Sequence, residues 1–133
     1  MSLPGAIGDA AEPTQRTRVL VVEDTEPVRA LVSLLLRRRG YEVVAIDNGP
    51  AALTQAKDGF DVVVMDVGLP GLNGLEVCRR LRAEPATASL PIILLTGRSH
   101  REDVRDGLRA GANDFLTKPF LEADLLSAIK RLS

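Results

Sequence analysis

Cysteine and histidine are almost absent from this chain. The single cysteine, Cys78, excludes an intramolecular disulfide, and with only one histidine, His100, a zinc site built from these residue types is also excluded. Apolar runs such as Val62–Met65 are too short to cross a membrane as a helix. Residues 1–15 contain no basic residue and therefore do not resemble a signal peptide. We expect a cytoplasmic protein.

Neither sign of charge dominates the sequence. Lysine and arginine number 17, aspartate and glutamate number 18, and the net charge is −1. This balance gives no bulk electrostatic reason to expect binding to nucleic acid or to an anionic membrane.

The length and composition predict one globular domain. The chain has 133 residues, of which 45% are hydrophobic and 26% are charged, a balance typical of a folded domain. Residues 1–16 contain scattered proline and glycine with little periodicity, and they predict a flexible lead-in. We expect the domain to occupy residues 17–133.

Short apolar runs alternate with amphipathic stretches along the predicted domain. Runs such as Arg18–Val22 are rich in β-branched residues, which is typical of strands buried on both faces. Val28, Leu31, Val32 and Leu35 follow at helical spacing and predict the apolar stripe of a first helix, which Gly40 ends. The predicted strands are Arg18–Val22, Tyr41–Ile46, Val62–Met65, Pro91–Leu95 and Asp114–Thr117. The first predicted helix starts after Glu26. The other predicted helices are Pro50–Lys57, Gly74–Ala83, Arg101–Ala110 and Glu122–Leu132.

This alternation predicts an α/β fold with a doubly wound, five-stranded parallel sheet and five helices. Right-handed crossovers leave few topologies, and at this size the flavodoxin-like strand order 2-1-3-4-5 is the one expected. Ligands of such sheets bind beyond the carboxyl ends of the strands.

Polar residues stand at the ends of four predicted strands: Glu23 and Asp24, Asp66, Thr96, and Lys118. A phosphate or dinucleotide site needs glycines in the first loop, whereas Glu23 and Asp24 repel anions there. Two carboxylates about 4 Å apart repel by about 4 kcal/mol at an effective dielectric near 20, so the cluster favours a counter-ion. Oxygen ligands indicate a hard cation such as Mg²⁺.

Four segments together resemble the receiver domain of two-component response regulators. They are Val19–Asp24, Asp66–Gly74, Leu95–Gly97 and Gly111–Phe120, and the resemblance covers about residues 17–132. It implies a phosphoacceptor domain that takes a phosphoryl group from a histidine kinase or a phosphotransfer protein. It implies catalysis only of the domain's own phosphorylation and dephosphorylation.

The resemblance also implies a role for each residue of the acidic cluster. Asp66 would be the phosphoacceptor, and it would bind Mg²⁺ directly together with Asp24. Glu23 would bind the ion through water, and the backbone carbonyl of Gly68 would complete the protein ligands.

The remaining implied roles concern the phosphoryl group and a conformational switch. Thr96 and Lys118 would contact the phosphoryl oxygens, and the Lys118–Pro119 peptide bond would be cis. Phe115 would turn inward when the hydroxyl of Thr96 moves towards the phosphate. The surface formed by the fourth helix, the fifth strand and the fifth helix would respond, and it is a possible homodimer interface.

Alternatives remain open from the sequence. The chain could be a degenerate receiver that binds partners without phosphorylation, or a Mg²⁺-dependent phosphatase, although Gly68 stands where a phosphatase needs a second acid. Gly68 and Arg98 also suggest a hypothesis, in which the bare glycine leaves an acyl phosphate open to water and Arg98 partly covers it. Local turn geometry explains both residues equally well.

Overall fold

The computed structural model describes residues 16–97 and 101–133, with side chains in the second range from residue 104 onward. The predicted lead-in therefore lies almost entirely outside the described residues. The strands are β1 (Arg18–Val22), β2 (Glu42–Ile46), β3 (Val62–Asp66), β4 (Ile92–Thr96) and β5 (Asp114–Thr117). The helices are α1 (Glu26–Arg38), α2 (Gly49–Gln55), α3 (Gly74–Ala83), α4 (Arg101–Ala110) and α5 (Glu122–Leu132).

The predicted sheet topology is confirmed. The strands form one parallel sheet in the order β2-β1-β3-β4-β5. Each strand boundary agrees with the sequence prediction to within one residue. The predicted helix Pro50–Lys57 is divided, because α2 ends at Gln55 and a short 3₁₀ turn covers Ala56–Asp58.

The core has two layers, one on each face of the sheet. Alternate residues of β3 point to opposite faces, with Val63 and Met65 in one layer and Val62 and Val64 in the other. Helices α2, α3 and α4 cover the first face, and α1 and α5 cover the second. Burial on both faces is why the strands are apolar at successive positions.

The predicted apolar stripe of α1 is only partly correct. Val32 is buried and Val28 packs against the core, but Leu31 is 52% exposed. Leu36 is fully buried instead, so the helix is rotated relative to the prediction. Helical periodicity defines an apolar face, but it does not say how much of that face the sheet covers.

Cys78 is a buried thiol of α3. Its Sγ donates to the carbonyl oxygen of Ala110 at 3.3 Å, and burial raises the pKa of the thiol. Among residues 16–97 and 101–133, no helix is long and apolar enough to span a membrane.

Candidate functional site

The predicted site residues meet at the carboxyl edge of the sheet. Asp66 and Thr96 are the last residues of β3 and β4, and Lys118 directly follows β5. Glu23 and Asp24 directly follow β1. Because all five strands are parallel, each strand delivers its last side chain to the same edge.

Three carboxylates form the acidic cleft, which we define as Glu23, Asp24 and Asp66. Each offers one oxygen, and the three oxygens lie within 4.8 Å of one another. Glu23 is fully buried and Asp66 is 7% exposed, whereas Asp24 faces solvent. Burial weakens the screening of their repulsion by water, so the cleft needs positive charge.

Lys118 supplies one of those charges. Its Nζ lies 2.8 Å from Glu23 Oε1 and 3.1 Å from Asp66 Oδ1. Glu23 accepts a further hydrogen bond, through Oε2, from the backbone N–H of Thr25 at 3.1 Å. Both carboxylate oxygens of Glu23 are therefore bonded, which is what a fully buried carboxylate requires.

The environment of Lys118 changes its pKa in two opposing ways. Burial, the largest single effect, lowers the pKa. The hydrogen bond to Glu23 and the charge of Asp66 together outweigh burial and raise the pKa of Lys118 above its ordinary value. Lys118 is therefore a cation at neutral pH, held beside Glu23 and Asp66.

A backbone hydrogen bond joins Thr96 to Lys118, the first residue after β5. The backbone N–H of Lys118 donates to the carbonyl oxygen of Thr96 at 2.7 Å, and the Thr96 side chain is buried. The Lys118–Pro119 peptide bond is cis, as the resemblance implied. Phe115 is half-buried and packs against the first core layer, so the two predicted switch residues lie on neighbouring strands.

The loop after β3 brings α3 close to Asp66. Asn73 caps α3, because its side-chain oxygen accepts from the backbone N–H of Glu76 at 3.0 Å. A Cβ at Gly74 would lie 2.3 Å from the backbone oxygen of Asp66, so only glycine permits this approach. The Asn73–Gly74 pair therefore begins a helix beside the site.

Gly68 lies close to the predicted phosphoacceptor. A Cβ at Gly68 would stand 3.6 Å from Asp66 Oδ2, an ordinary contact, so the position could hold a larger residue. Arg98 and His100 lie outside the described residues. The hypothesis that Arg98 covers the site is therefore not tested.

The cleft fits a small divalent cation. All three side-chain donors are carboxylate oxygens, the ligands that Mg²⁺ prefers. Two oxygens bound to one Mg²⁺ lie at most about 4.2 Å apart, which is close to the separation within this cluster. Three carboxylates facing one ammonium leave two negative charges that a divalent ion would balance.

The fold and the site together define a class of protein: a doubly wound α/β domain with three carboxylates and a lysine at the carboxyl edge of its sheet. The response regulator receiver domain profile matches residues 19–130. The chain therefore belongs to the response regulator receiver domain family of two-component signalling.

Curated relatives agree with this assignment. The chain is 40% identical over 115 residues to the sensory transduction protein RegX3 of Mycobacterium tuberculosis, covering 86% of this chain and 49% of that protein. It is 37% identical over 118 residues to the DNA-binding response regulator MtrA of the same species, covering 88% and 50%. The chain thus spans about half the length of the curated relatives it matches.

Solved structures show the same fold. A putative response regulator from Chloroflexus aurantiacus has a TM-score of 0.84 and 37% identity, over 88% of this chain and 97% of that chain. The receiver domain of a sensor histidine kinase from Pseudomonas aeruginosa has a TM-score of 0.82 and 34% identity, with the same coverage. That structure holds a magnesium ion in its active site cleft.

The sequence does not predict two features of the site. Arg29 donates to the backbone carbonyl oxygen of Glu23 at 2.9 Å, a contact that no motif or spacing indicates. Beside Lys118, the exposed Leu31 forms part of an apolar groove. Leu31 lies on the predicted apolar stripe of α1, and that spacing predicts burial and not exposure.

We predict that the Glu23–Lys118 pair stabilises the metal-free protein. Lys118→Met leaves Glu23 buried without its cation, and removing one partner of a buried pair costs about 3 kcal/mol or more. Because the pKa of Lys118 is raised on folding, the pair is fully present below the unfolded pKa, about 10.4, and is lost as pH rises through the folded value. Urea unfolding at pH 8 and pH 11.5 measures both effects.

Lys57→Met is the matched control, since Lys57 pairs with Glu84 on the surface with both side chains about half exposed. That change is expected to cost less than about 1 kcal/mol. A Lys118→Met loss no larger than the control, or one equally large at both pH values, would contradict the prediction.

Proposed function

We propose that this domain is a phosphorylation-driven switch, with Asp66 as the phosphoacceptor. The observation that carries the proposal is the meeting of Asp66 with Asp24, Glu23 and the cationic Lys118 at one sheet edge. A cleft that holds both a divalent ion and an ammonium offers positive charge to the oxygens of an incoming phosphoryl group.

The proposed reaction is the transfer of a phosphoryl group from a histidine of the donor. One carboxylate oxygen of Asp66 attacks phosphorus, an O–P bond forms, and the P–N bond to the donor imidazole breaks. The bond's electron pair stays on the imidazole nitrogen, which then takes a proton from solvent. The domain modifies only itself and turns over no substrate pool.

Each cleft residue has a distinct proposed task. Asp24 and Asp66 bind Mg²⁺ directly, Glu23 binds it through water, and the carbonyl of Gly68 completes the protein ligands. When bound, the ion would neutralise charge on the phosphoryl oxygens. Glu23 also holds Lys118 beside Asp66, so the ammonium is in place before the donor arrives.

Mass spectrometry tests the phosphoacceptor. Incubation with Mg²⁺ and a small phosphodonor such as acetyl phosphate is expected to give one transient adduct on the intact chain, and Asp66→Asn is expected to abolish it. Asp47→Asn is the matched control, because Asp47 is an exposed carboxylate just after β2 at the same sheet edge.

The other outcomes identify the alternatives. If no adduct forms with Mg²⁺ present, the chain is a receiver that binds partners without phosphorylation. Multiple-turnover hydrolysis of a phosphomonoester, which is not an activated phosphodonor, would instead identify a phosphatase. An adduct that survives in Asp66→Asn would place the phosphoacceptor elsewhere.

An apolar groove beside Lys118 supports a protein donor. Its volume is about 360 Å³, and it lies between α1 and the segment after β5. Its lining residues are Val28, Leu31, Val32, Leu35, Lys118, Pro119 and Phe120. Because Lys118 contacts Asp66, a helix seated here could bring its phosphohistidine to Asp66. We therefore propose this groove as the docking site of a histidine kinase or phosphotransfer protein.

The groove can be tested with two matched leucines. Leu31 is 52% exposed in the groove, and Leu108 is 56% exposed on α4. Leu31→Ala is expected to slow transfer from a phosphorylated histidine phosphotransfer domain about tenfold, since loss of a central apolar anchor costs at least 1 kcal/mol. The donor is chosen from a panel of purified histidine phosphotransfer domains, as the one that phosphorylates the wild-type chain fastest.

Acetyl phosphate separates docking from chemistry, because it does not need the groove. Leu31→Ala should react with acetyl phosphate at the wild-type rate, and Leu108→Ala should behave as wild type with both donors. Equal slowing by the two leucine variants, or slowing with acetyl phosphate, would contradict docking in the groove.

We propose Thr96 and Phe115 as the switch that carries the signal away from the cleft. The ring of Phe115 occupies space that only glycine leaves free on α4, because a Cβ at Gly107 would lie 2.6 Å from Phe115 Cε1. Movement of the ring would therefore change the packing between β5 and α4. The responding surface is the α4–β5–α5 face, which includes the exposed charges Arg105, Arg109 and Asp124.

Fluorine NMR can follow this switch, since the chain has three phenylalanines. With fluorophenylalanine incorporated, Mg²⁺ and the phosphoryl analogue beryllofluoride are expected to move the Phe115 resonance and leave that of Phe60 in place. Phe60 is the internal control, because it packs under Arg18 at the opposite sheet edge. Thr96→Val should abolish the Phe115 shift.

A shift of Phe115 that persists in Thr96→Val would separate the ring from the threonine and contradict the switch. Sedimentation velocity of the same samples tests the homodimer that we propose through the α4–β5–α5 face. A monomer under all conditions would exclude that part of the proposal.

A further inference from the structure

Arg29 contacts the main chain of the loop that carries two of the three cleft carboxylates. It lies in the first turns of α1 and is half-buried. Its Nη1 donates to the carbonyl oxygen of Glu23 at 2.9 Å and, in a longer contact, to that of Asp24 at 3.4 Å. The guanidinium therefore bonds to the backbone of both residues.

Three further hydrogen bonds fix the position of the same loop. The backbone N–H of Glu23 donates to the carbonyl of Ile46 on β2 at 3.0 Å. The N–H of Thr25 bonds to the Glu23 side chain, and the N–H of Arg29 donates to the carbonyl of Thr25 at 2.9 Å. The Asp24 carbonyl has the Arg29 contact, and Asp24 is the exposed member of the acidic cleft.

The main chain of Arg29 is held in place by α1. The buried Ser33 donates through Oγ to the carbonyl oxygen of Arg29 at 2.8 Å. Because its stem starts from a regular helix, the guanidinium can act as a fixed support for a loop that has no regular structure of its own. The direction of the peptide groups at Glu23 and Asp24 in turn sets where their side chains point.

We propose that Arg29 is a positioning residue of the acidic cleft. Its bonds to the Glu23 and Asp24 carbonyls hold the main chain so that both carboxylates face Asp66. The inference rests on the proposed function, since the cleft matters only if it binds a divalent ion. Changes to groups that orient metal ligands typically weaken metal binding by 10–100-fold.

The sign of the effect distinguishes positioning from simple electrostatics. Arg29 is a cation near a site for a cation, so its charge alone opposes Mg²⁺ binding. Removal of the charge would then tighten binding, whereas removal of the two carbonyl contacts would weaken it. The two explanations therefore predict changes in opposite directions.

The experiment is calorimetric titration of Mg²⁺ into the unphosphorylated chain. Arg29→Met is expected to raise the Mg²⁺ dissociation constant about tenfold. Arg29→Lys keeps the charge and one donor group, so any loss of Mg²⁺ affinity in this variant comes from the lost carbonyl contact and not from a change of charge. If Arg29→Met does not fold, Arg29→Gln takes its place.

Arg37→Met is the matched control. Arg37 lies on the same helix and also donates to a backbone carbonyl, that of Val43 at 3.2 Å, away from the cleft. Its removal should change the dissociation constant less than twofold. Backbone amide shifts of Glu23 to Thr25 in the metal-free protein give a second readout, and they should move in Arg29→Met and stay in Arg37→Met.

Two outcomes would overturn the inference. They are an unchanged or lower Mg²⁺ dissociation constant in Arg29→Met, and an equal loss of affinity in Arg37→Met. Wild-type protein that binds no Mg²⁺ would overturn the proposed function as well. The wild-type protein could bind Mg²⁺ and form the Asp66 adduct while Arg29→Met binds Mg²⁺ with the same affinity. That result would overturn the positioning role of Arg29 and leave the proposed function intact.

Discussion

The ion pair between Glu23 and Lys118 is the interaction on which the cleft depends. It joins the end of β1 to the end of β5, two strands that β3 and β4 separate in the sheet. A fully buried glutamate is costly unless its charge is paired and its oxygens are bonded, and this one meets both conditions. The same ammonium reaches Asp66, so the contact that makes Glu23 tolerable also places positive charge beside the proposed phosphoacceptor.

Lys118 also couples parts of the molecule that could otherwise act separately. Its side chain faces the acidic cleft, its backbone N–H bonds to Thr96, and it helps to line the apolar groove. The proposed ion site, switch and docking groove therefore share one short segment after β5.

Much of the fold could be predicted from the sequence, because the composition of each strand shows whether it is buried. Strands buried on both faces are apolar at every position, and parallel pairing then places Asp66, Thr96 and Lys118 at one edge. The exposure of Leu31 could not be predicted, because periodicity does not show where the covering sheet ends. The Arg29 contact could not be predicted either, since a bond from a side chain to a backbone carbonyl leaves no pattern in the residue types.

Two residues depart from the ordinary preferences of their surroundings, and each has a place in the proposed function. Glu23 is a charge in the core, and Gly107 lies inside a helix, where glycine costs about 1 kcal/mol relative to alanine. Stability alone favours neither choice. Both become intelligible if Glu23 holds the lysine and Gly107 makes room for a ring that moves. Local cost at such positions is what a domain selected for switching, rather than for maximal stability, is expected to show.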